Sequence, residues 1–172
     1  ATPKCRLRVL FISEQLADPK EIMPYLSALL GVKDFALSLK IRPQTDGFED
    51  WLKEHRPELL KQVKIFRASM SEAINETDIA VGSHSTAVLE ALTCLKPFVF
   101  FRTDKWGDYF DIKSFAGDSF FANSPQELID YVRKNSDTPQ EFLKQLQERF
   151  FGDPYQNGSK WVVEQALKFS KI

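Results

Sequence analysis

The sequence predicts an α/β protein with a Rossmann-like, doubly wound and mostly parallel sheet of about six strands, with helices on both faces. Three observations lead to this prediction. Apolar runs of strand length alternate with helix-length periodic segments, several helix starts carry capping signals, and the chain is helical after its last strand. A length of 172 residues suits one domain, so residues 1–172 are treated as a single unit.

Six segments rich in β-branched and aromatic residues are the predicted strands: residues 7–13, 35–41, 63–67, 79–81, 98–101 and a short one at 119–122. Three helices are predicted after them. Their apolar stripes are formed by Leu128, Ile129 and Val132, by Phe142, Leu143, Leu146 and Phe150, and by Trp161, Val162 and Phe169.

Four helix starts are marked by N-terminal capping signals. Asp18, Ser124 and Thr138 each precede a proline and stand three residues before a glutamate, and Ser69 repeats the spacing without the proline. The oxygen of such a cap accepts a backbone N–H, and proline at the first helical position lacks the donor that would otherwise be unmatched. These signals indicate structure and carry no functional weight.

Charge and composition exclude several classes of function. The chain has 23 Lys+Arg against 24 Asp+Glu and a formal net charge of −1, so no basic surface for nucleic acid is indicated. The most apolar stretch, residues 87–101, is interrupted by Glu90, Lys96 and Pro97 and is not a membrane span. The spacing of Cys5 and Cys94 indicates neither a metal site nor a disulfide framework. We expect a cytoplasmic or membrane-peripheral protein with reduced thiols and no metal or cofactor.

The glycine spacing excludes the common nucleotide loops. No two of the seven glycines are close enough for G-x-G-x-x-G or for the G-x-x-x-x-G-K-[ST] phosphate loop. A phosphoacceptor receiver domain is also disfavoured, because Asp78 precedes its strand instead of following it. A doubly wound sheet binds ligands beyond the carboxyl ends of its strands, so the loops after the strands are the places to examine.

The segment from Asp78 to Ala91 combines a short strand, a tight turn and a helix predicted to begin near Ser85 or Thr86. A helix start presents unpaired N–H groups and a partial positive charge, and Ser83, Ser85 and Thr86 add hydroxyl groups suited to a diphosphate. The same residues are also consistent with a simple helix cap.

Glu90 lies about one turn into this otherwise apolar helix and misses the capping-box spacing. Its carboxylate could accept hydrogen bonds from the two hydroxyls of a ribose. A solvated glutamate near a helix start is the alternative interpretation.

Four features occur here in chain order: a strand, Gly82-Ser83-His84-Ser85-Thr86, Glu90-Ala91 and Lys96-Pro97. Together they resemble the nucleotide-binding, C-terminal half of two-domain GT-B glycosyltransferases. The resemblance is greatest to bacterial surface-polysaccharide and teichoic-acid-type transferases of the CDP-glycerol glycerophosphotransferase kind. It extends to the opening strand at residues 9–13, to residues 39–43, and to residues 151–159 before a terminal helix.

The resemblance implies a role for each matching residue. Ser83, Ser85 and Thr86 would hold the phosphates of the donor, and Glu90 would bind the ribose. Lys40 would add a positive contact, and the alternative interpretation is that Lys40 and Arg42 are surface charges at the end of a strand. Arg42 stands where such proteins often have a histidine, and an arginine can bind phosphate but cannot transfer a proton near neutral pH.

Three further side chains could contribute to this site. His84 is a candidate acid, base or phosphate ligand, because its unperturbed pKa is about 6.5. Trp106 and Tyr109 follow the fifth strand and could stack on a base or a sugar. Each also has a structural interpretation, as a polar turn residue or as packing aromatics, and the catalytic residues cannot be identified from these patterns.

The resemblance implies that the acceptor site and the general base belong to a missing N-terminal domain. We therefore expect a domain that binds a nucleotide-sugar or nucleoside diphosphate in surface polysaccharide synthesis and needs a second domain for turnover. A sugar-nucleotide 2-epimerase-like domain is one alternative. A non-enzymatic assembly or regulatory domain of the same fold, in which residues 83–90 are only structural, is another.

Overall fold

In a computed structural model, residues 6–14, 18–41, 47–152, 159, 160, 163 and 167 are described here. Within them six strands form one sheet: β1 Leu7–Ile12, β2 Phe35–Lys40, β3 Lys64–Phe66, β4 Ile79–Gly82, β5 Phe98–Phe101 and β6 Phe121–Ala122. Every pairing is parallel, and the strand order is β3-β2-β1-β4-β5-β6. The predicted doubly wound α/β fold is confirmed.

Seven α-helices are described: α1 Pro19–Leu30, α2 Phe48–His55, α3 Pro57–Leu60, α4 Met70–Asn75, α5 Ile112–Ala116, α6 Pro125–Asn135 and α7 Gln140–Phe151. Two 3₁₀ segments, Thr86–Cys94 and Asp118–Phe120, accompany them. Cys5, Arg42 and most of the predicted terminal helix, including Trp161 and Phe169, lie outside the described residues.

The sheet is buried on both faces, as parallel sheets require. Val9 and Phe11 of β1 pack with α1, α2, α3 and α6 in one apolar cluster. Leu10 and Ile12 point to the opposite face and pack with α4, α5, α7 and the longer 3₁₀ segment. The alternation follows from the two-residue period of a strand and explains why almost every position of β1 is apolar.

Three of the four predicted caps are present. Asp18 accepts the N–H of Lys20 at 2.8 Å, and Ser124 accepts the N–H of Glu127 at 3.2 Å. Ser69 and Glu72 form the complete reciprocal capping box.

The cap predicted at Thr138 is wrong. The helix begins at Gln140 with Pro139 at its N-cap position, and no side chain caps it. The Thr138 hydroxyl instead donates to the carbonyl oxygen of Asn135 at 2.7 Å. Thr138 therefore provides a hydrogen-bond donor for a carbonyl oxygen at the C-terminal end of α6, because the short connection between α6 and α7 brings that oxygen within its reach.

Two predicted elements differ in kind. The strand expected at residues 119–122 pairs only at Phe121–Ala122, since the chain first makes the 3₁₀ turn Asp118–Phe120. The α-helix expected after β4 is a nine-residue 3₁₀ helix, Thr86–Cys94, hereafter the long 3₁₀ helix. Runs of this kind beyond three or four residues are uncommon.

The tighter winding changes which side chains share a face. A 3₁₀ helix has three residues per turn, so positions i and i+3 are aligned. Ala87, Glu90 and Thr93 form the outward stripe of the long 3₁₀ helix, whereas Val88 and Leu89 are buried. Glu90 is therefore aligned with Ala87, and not with Thr86 as an α-helix would have it.

The strand order reverses direction between β1 and β4. From β1 the chain proceeds outward through β2 and β3, then crosses back to β4 on the other side of β1. Phe11 is paired with Val81, so the carboxyl ends of these two strands lie side by side. This is the point at which ligands bind in doubly wound sheets.

Gly82 lets the end of β4 lie close to both β1 and the long 3₁₀ helix. A Cβ at this position would lie 2.5 Å from the Val88 Cγ2 atom and 3.3 Å from the Ile12 carbonyl oxygen. Val88 is fully buried and β-branched, so it cannot rotate away at low cost.

We predict that Gly82→Ala lowers the free energy of unfolding by about 1–3 kcal/mol through overpacking. Gly107→Ala is the matched control, because its Cβ would meet only guanidinium nitrogens of Arg102, at 3.8 and 3.9 Å. That control should change stability by less than about 1 kcal/mol. Urea denaturation measures both, and equal effects of the two substitutions would contradict the steric argument.

At the opposite end of the same strands, Arg8 and Asp78 join the starts of β1 and β4. Asp78 Oδ2 accepts the backbone N–H of Arg8 at 2.8 Å, and the guanidinium donates to Oδ1 at 2.5 Å. The side-chain hydrogen bond from Arg8 holds the pKa of Asp78 below its usual value.

A lowered pKa in the folded state makes stability depend on pH. The contribution of Asp78 is present above its unfolded pKa of about 3.9 and is lost as the pH falls through the lowered value. We predict that the free energy of unfolding of Asp78→Asn falls less steeply below about pH 4 than that of the parent chain. Denaturation at a series of pH values measures this, and parallel curves would contradict it.

Candidate functional site

The turn between β4 and the long 3₁₀ helix is built from buried polar residues. Ser83 is 3% exposed and Ser85 is 5% exposed. Ser83 Oγ is 3.1 Å from Nδ1 of His84, and Ser85 Oγ accepts the N–H of Ala87 at 3.3 Å. Ser85 is therefore the helix cap that the sequence allowed as an alternative to phosphate binding.

The start of the long 3₁₀ helix also leaves donors available. Thr86 is exposed, and its hydroxyl makes no hydrogen bond within the part of the chain that the structure describes. The backbone N–H groups of Ser85 and Thr86 have no acceptor among the same residues. Two N–H groups and a hydroxyl thus remain at the position where a helix start attracts an anion.

Lys40 and Ser13 lie at the neighbouring strand ends. Ser13 donates both its N–H and its hydroxyl to the Lys40 carbonyl oxygen, at 3.0 and 3.2 Å. The Lys40 side chain is buried, with the residue only 4% exposed, and its ammonium donates to the Ile41 carbonyl oxygen at 3.4 Å. Arg42, the second predicted cation, lies outside the described residues.

Glu90 is exposed on the long 3₁₀ helix, one turn beyond Ala87. Three residues of 3₁₀ helix rise about 6 Å, so the Glu90 carboxylate lies roughly that far along the helix from Ala87. The carboxylate has no hydrogen-bond donor among the described residues.

A small, mostly apolar cavity of about 150 Å³ lies beside Lys40 and Ala87. Its apolar lining comes from Ile12, Ile41, Ala68, Met70 and Ala87, and its polar lining from Ser13, Lys40 and Ser69. The sequence analysis identified Ser69 only as a helix cap, and it named neither Ala68 nor Met70 as a site residue. The available signal was their position directly after β3, whose carboxyl end faces the same crevice as β1 and β4.

The His84 and Trp106 rings are stacked, with centroids 4.5 Å apart and planes 22° apart. The Trp106 indole Nε1 is buried and has no hydrogen-bond partner among the residues that the structure describes. One face of Trp106 is therefore occupied by His84, which restricts any stacking on a ligand to the remaining surface. The predicted stacking and catalytic roles of these two residues stay predictions.

Tyr109 lies on the loop after β5 and is 69% exposed. Its ring meets that of Trp106 edge-on, with centroids 5.7 Å apart. The loop is anchored by Asp108, whose carboxylate accepts the N–H groups of Ile112 and Lys113 at 2.7 and 2.9 Å. Tyr109 is thus an exposed aromatic surface on an anchored loop.

Among the described residues, no group of three or more His, Cys, Asp or Glu side chains could hold a metal ion. No helix in that part of the chain is both long and apolar enough to cross a bilayer.

No protein-family model and no curated protein matches the chain. Among solved structures, an O-GlcNAc transferase from Thermobaculum terrenum aligns at a TM-score of 0.62 and 18% identity, over 96% of this chain and 36% of that one. The catalytic domain of a cholesterol-α-glucosyltransferase from Helicobacter pylori aligns at 0.57 and 16%, over 83% and 97%. The wall teichoic acid polymerase TagF aligns at 0.56 and 15%, over 98% and 43%.

At these identities the likeness establishes the fold. The chain has the fold of the C-terminal domain of GT-B glycosyltransferases, as the resemblance in the sequence implied. It spans 36% of the length of the O-GlcNAc transferase and 43% of that of the teichoic acid polymerase.

We predict that Ser85→Ala lowers the free energy of unfolding by about 1 kcal/mol, the usual cost of losing an N-cap oxygen. Thr86→Ala is the matched control, because its exposed hydroxyl makes no hydrogen bond within the described residues, and it should change stability by less than about 0.5 kcal/mol. Thermal and urea denaturation measure both. An equal loss from the two substitutions would show that Ser85 does not act as the cap.

Proposed function

We propose that this domain binds the nucleoside diphosphate portion of an activated donor and is the donor-binding half of a glycosyltransferase-like protein in surface polysaccharide synthesis. The observation that carries the proposal is the start of the long 3₁₀ helix beside the switch point of the sheet, where the backbone donors of Ser85 and Thr86 have no acceptor among the described residues. The proposal combines this geometry with a fold found in several sugar-transferring enzymes.

The buried cation Lys40, beside the helix start, supports an anionic ligand. A buried ammonium is costly unless it is paired, and the hydrogen bond of Lys40 to the Ile41 carbonyl oxygen is long. Lys40 and Ala87 line the same cavity, so the ammonium-bearing side chain and the helix start flank one space. A diphosphate placed there would receive a cationic partner on one side and helix-start N–H groups on the other.

The position of Glu90 supports a nucleotide over a free phosphate. A ribose attached to the diphosphate would extend along the outward stripe of the long 3₁₀ helix, from Ala87 towards the exposed carboxylate of Glu90. A carboxylate can accept hydrogen bonds from both ribose hydroxyls. In this arrangement His84, beside Ser83, would contact the phosphates or the group being transferred.

A second domain would complete the active site. In the proposed arrangement this half binds the donor, and the acceptor site and the base that activates the acceptor come from the partner half. The similarity to a wall teichoic acid polymerase favours a surface polymer as the product class. Alone, the domain is expected to bind its ligand without turnover.

The capping role of Ser85 favours one competing function. A turn whose serine is already engaged by Ala87 N–H is also what a purely structural segment would contain. In that case the domain would be an assembly or regulatory module without nucleotide affinity. Binding measurements decide between these proposals, because only the donor-binding proposal requires a ligand-specific response.

We predict that at least one of UDP, CDP, CMP and GDP binds the chain, and that Glu90→Ala weakens this binding by about ten- to a hundredfold. Hydrogen bonds to a charged group contribute about 1.5–3 kcal/mol, which corresponds to this loss. Calorimetry and protein-observed NMR titration measure the affinity and the residues that respond.

Glu141→Gln on α7 is the matched control, because it removes an exposed carboxylate on a different helix. It should leave the affinity unchanged. Folded protein that responds to none of the four nucleotides would reject the proposed function and favour the structural module.

A further inference from the structure

We propose that the first half of β2, at the amino end of the sheet, docks an extended acidic segment of a partner protein by pairing with it as an added strand. This surface lies at the end of the strands opposite the proposed donor site, so the inference goes beyond the proposed function and does not depend on it. It is carried by the unequal lengths of β2 and β3, by a groove beside the longer strand, and by two cations at the rim of that groove.

The edge strand β3 covers only part of β2. β3 has three residues and β2 has six. The β3 ladder pairs with residues 38–40 alone, so residues 35–37 have a strand neighbour only on the β1 side within the described part of the chain. We call residues 35–37 the open edge. An unpaired strand edge is a template for pairing with another chain.

The open edge presents one backbone acceptor and one backbone donor. The Leu7 N–H donates to the Asp34 carbonyl oxygen at 2.9 Å, which fixes the side of β2 that faces β1. Because successive residues of a strand direct their backbone groups to alternate sides, the Phe35 carbonyl oxygen and the Leu37 N–H face away from β1.

A guest strand would satisfy both of these groups. Neither the Phe35 carbonyl oxygen nor the Leu37 N–H has a turn or loop partner among the described residues, and both precede the residues that β3 pairs. One guest residue opposite Ala36 would donate its N–H to Phe35 and accept the N–H of Leu37, as in a parallel ladder. Main-chain pairing of this kind is the way in which sheet edges capture extended peptides.

A groove of about 690 Å³ lies along the open edge. Leu30 and Val32, at and just after the end of α1, form apolar lining, and so does Phe66 of β3. Ala36 and Ser38 also line the groove, and their small side chains leave space beside β2. The groove therefore has room for the side chains of a guest strand as well as for its backbone.

The charges of the groove indicate the chemistry of the partner. Its described lining contains one carboxylate, Glu76, and four cations, Arg6, Arg8, Lys33 and Lys64. Lys64 is paired with Glu76 and Arg8 with Asp78, each at 2.5 Å. Arg6 and Lys33 are exposed and have no ion pair among the described residues. The uncompensated charge is positive, so an acidic segment is complementary to the groove.

The same charges disfavour a second copy of this chain as the occupant. Pairing of two open edges would bring Arg6 and Lys33 of one copy towards the same residues of the other. Like charges that face each other across an interface are destabilising. Charged side chains beside a strand edge are also a common protection against self-association, and an acidic guest is not subject to that repulsion.

The test is an NMR titration of the whole 172-residue chain with the acetylated and amidated peptide EEVTVEE. We expect binding that moves the amide signals of residues 35–37. At saturation the hydrogen exchange of the Leu37 N–H should slow by at least about tenfold, because that group then has an acceptor.

Two altered peptides test the charge and the pairing separately. The basic counterpart KKVTVKK should bind at least about tenfold more weakly, because it meets Arg6 and Lys33 with like charge. The peptide EEVPVEE keeps the charge but lacks the central N–H, so it should also bind more weakly than EEVTVEE.

Substitutions in the chain test the role of the two cations. Arg6→Glu combined with Lys33→Glu should weaken binding of EEVTVEE by about tenfold, through two lost attractions and the added repulsion. Lys134→Glu combined with Lys144→Glu is the matched control, because it changes the net charge equally at exposed positions on α6 and α7. The control should keep the affinity. Circular dichroism establishes that both variants are folded, and the altered peptides retain the test if one is not.

Several results would overturn the inference. They are equal binding of the acidic and basic peptides, binding that leaves the amide signals of residues 35–37 unmoved, and absence of peptide binding to the folded chain. A concentration-dependent dimer that protects the Leu37 N–H without peptide would assign the open edge to a second copy and would also overturn it. None of these results concerns nucleotide binding, so failure of this inference leaves the proposed function to its own test.

Discussion

The arrangement of the site depends on a close approach that only glycine allows. At Gly82 the end of β4 lies against the Ile12 carbonyl oxygen and the buried Val88, leaving no room for a Cβ. This contact brings the start of the long 3₁₀ helix up to the end of β1, where the strand order reverses. The hydroxyls of Ser83 and Ser85 and the donors of Thr86 take their positions from it. A wider turn would move them away from the crevice.

Buried polar groups are concentrated at one edge of an otherwise apolar core. Ser13, Glu14, Lys40, Ser83 and Ser85 are all at most 5% exposed, and all lie at or just beyond the carboxyl ends of β1, β2 and β4. Burial of polar groups costs free energy that apolar side chains would not incur. Their placement at the ligand-binding edge of a doubly wound fold is consistent with a functional reason for that cost.

The 3₁₀ geometry decides which side chain follows Ala87 on the side of the helix that borders the cavity. Because three residues complete a turn, Ala87 faces the cavity and Glu90 follows it on the same side of the helix. An α-helix would rotate Glu90 by about 100° per residue and align it instead with Thr86. The observed winding therefore places the Glu90 carboxylate on the same side of the helix as Ala87, which lines the cavity.

The sequence by itself determined the parallel sheet, its strands, the loop that carries the candidate site, and the caps at Asp18, Ser69 and Ser124, since these depend on local propensity and spacing. Only the tertiary structure decided the 3₁₀ winding, the His84–Trp106 stack and the cavity beside Met70. The stack and the cavity arise where segments distant in the chain pack together. Contacts of that kind are set by the shape of the neighbouring element, which local sequence patterns do not encode.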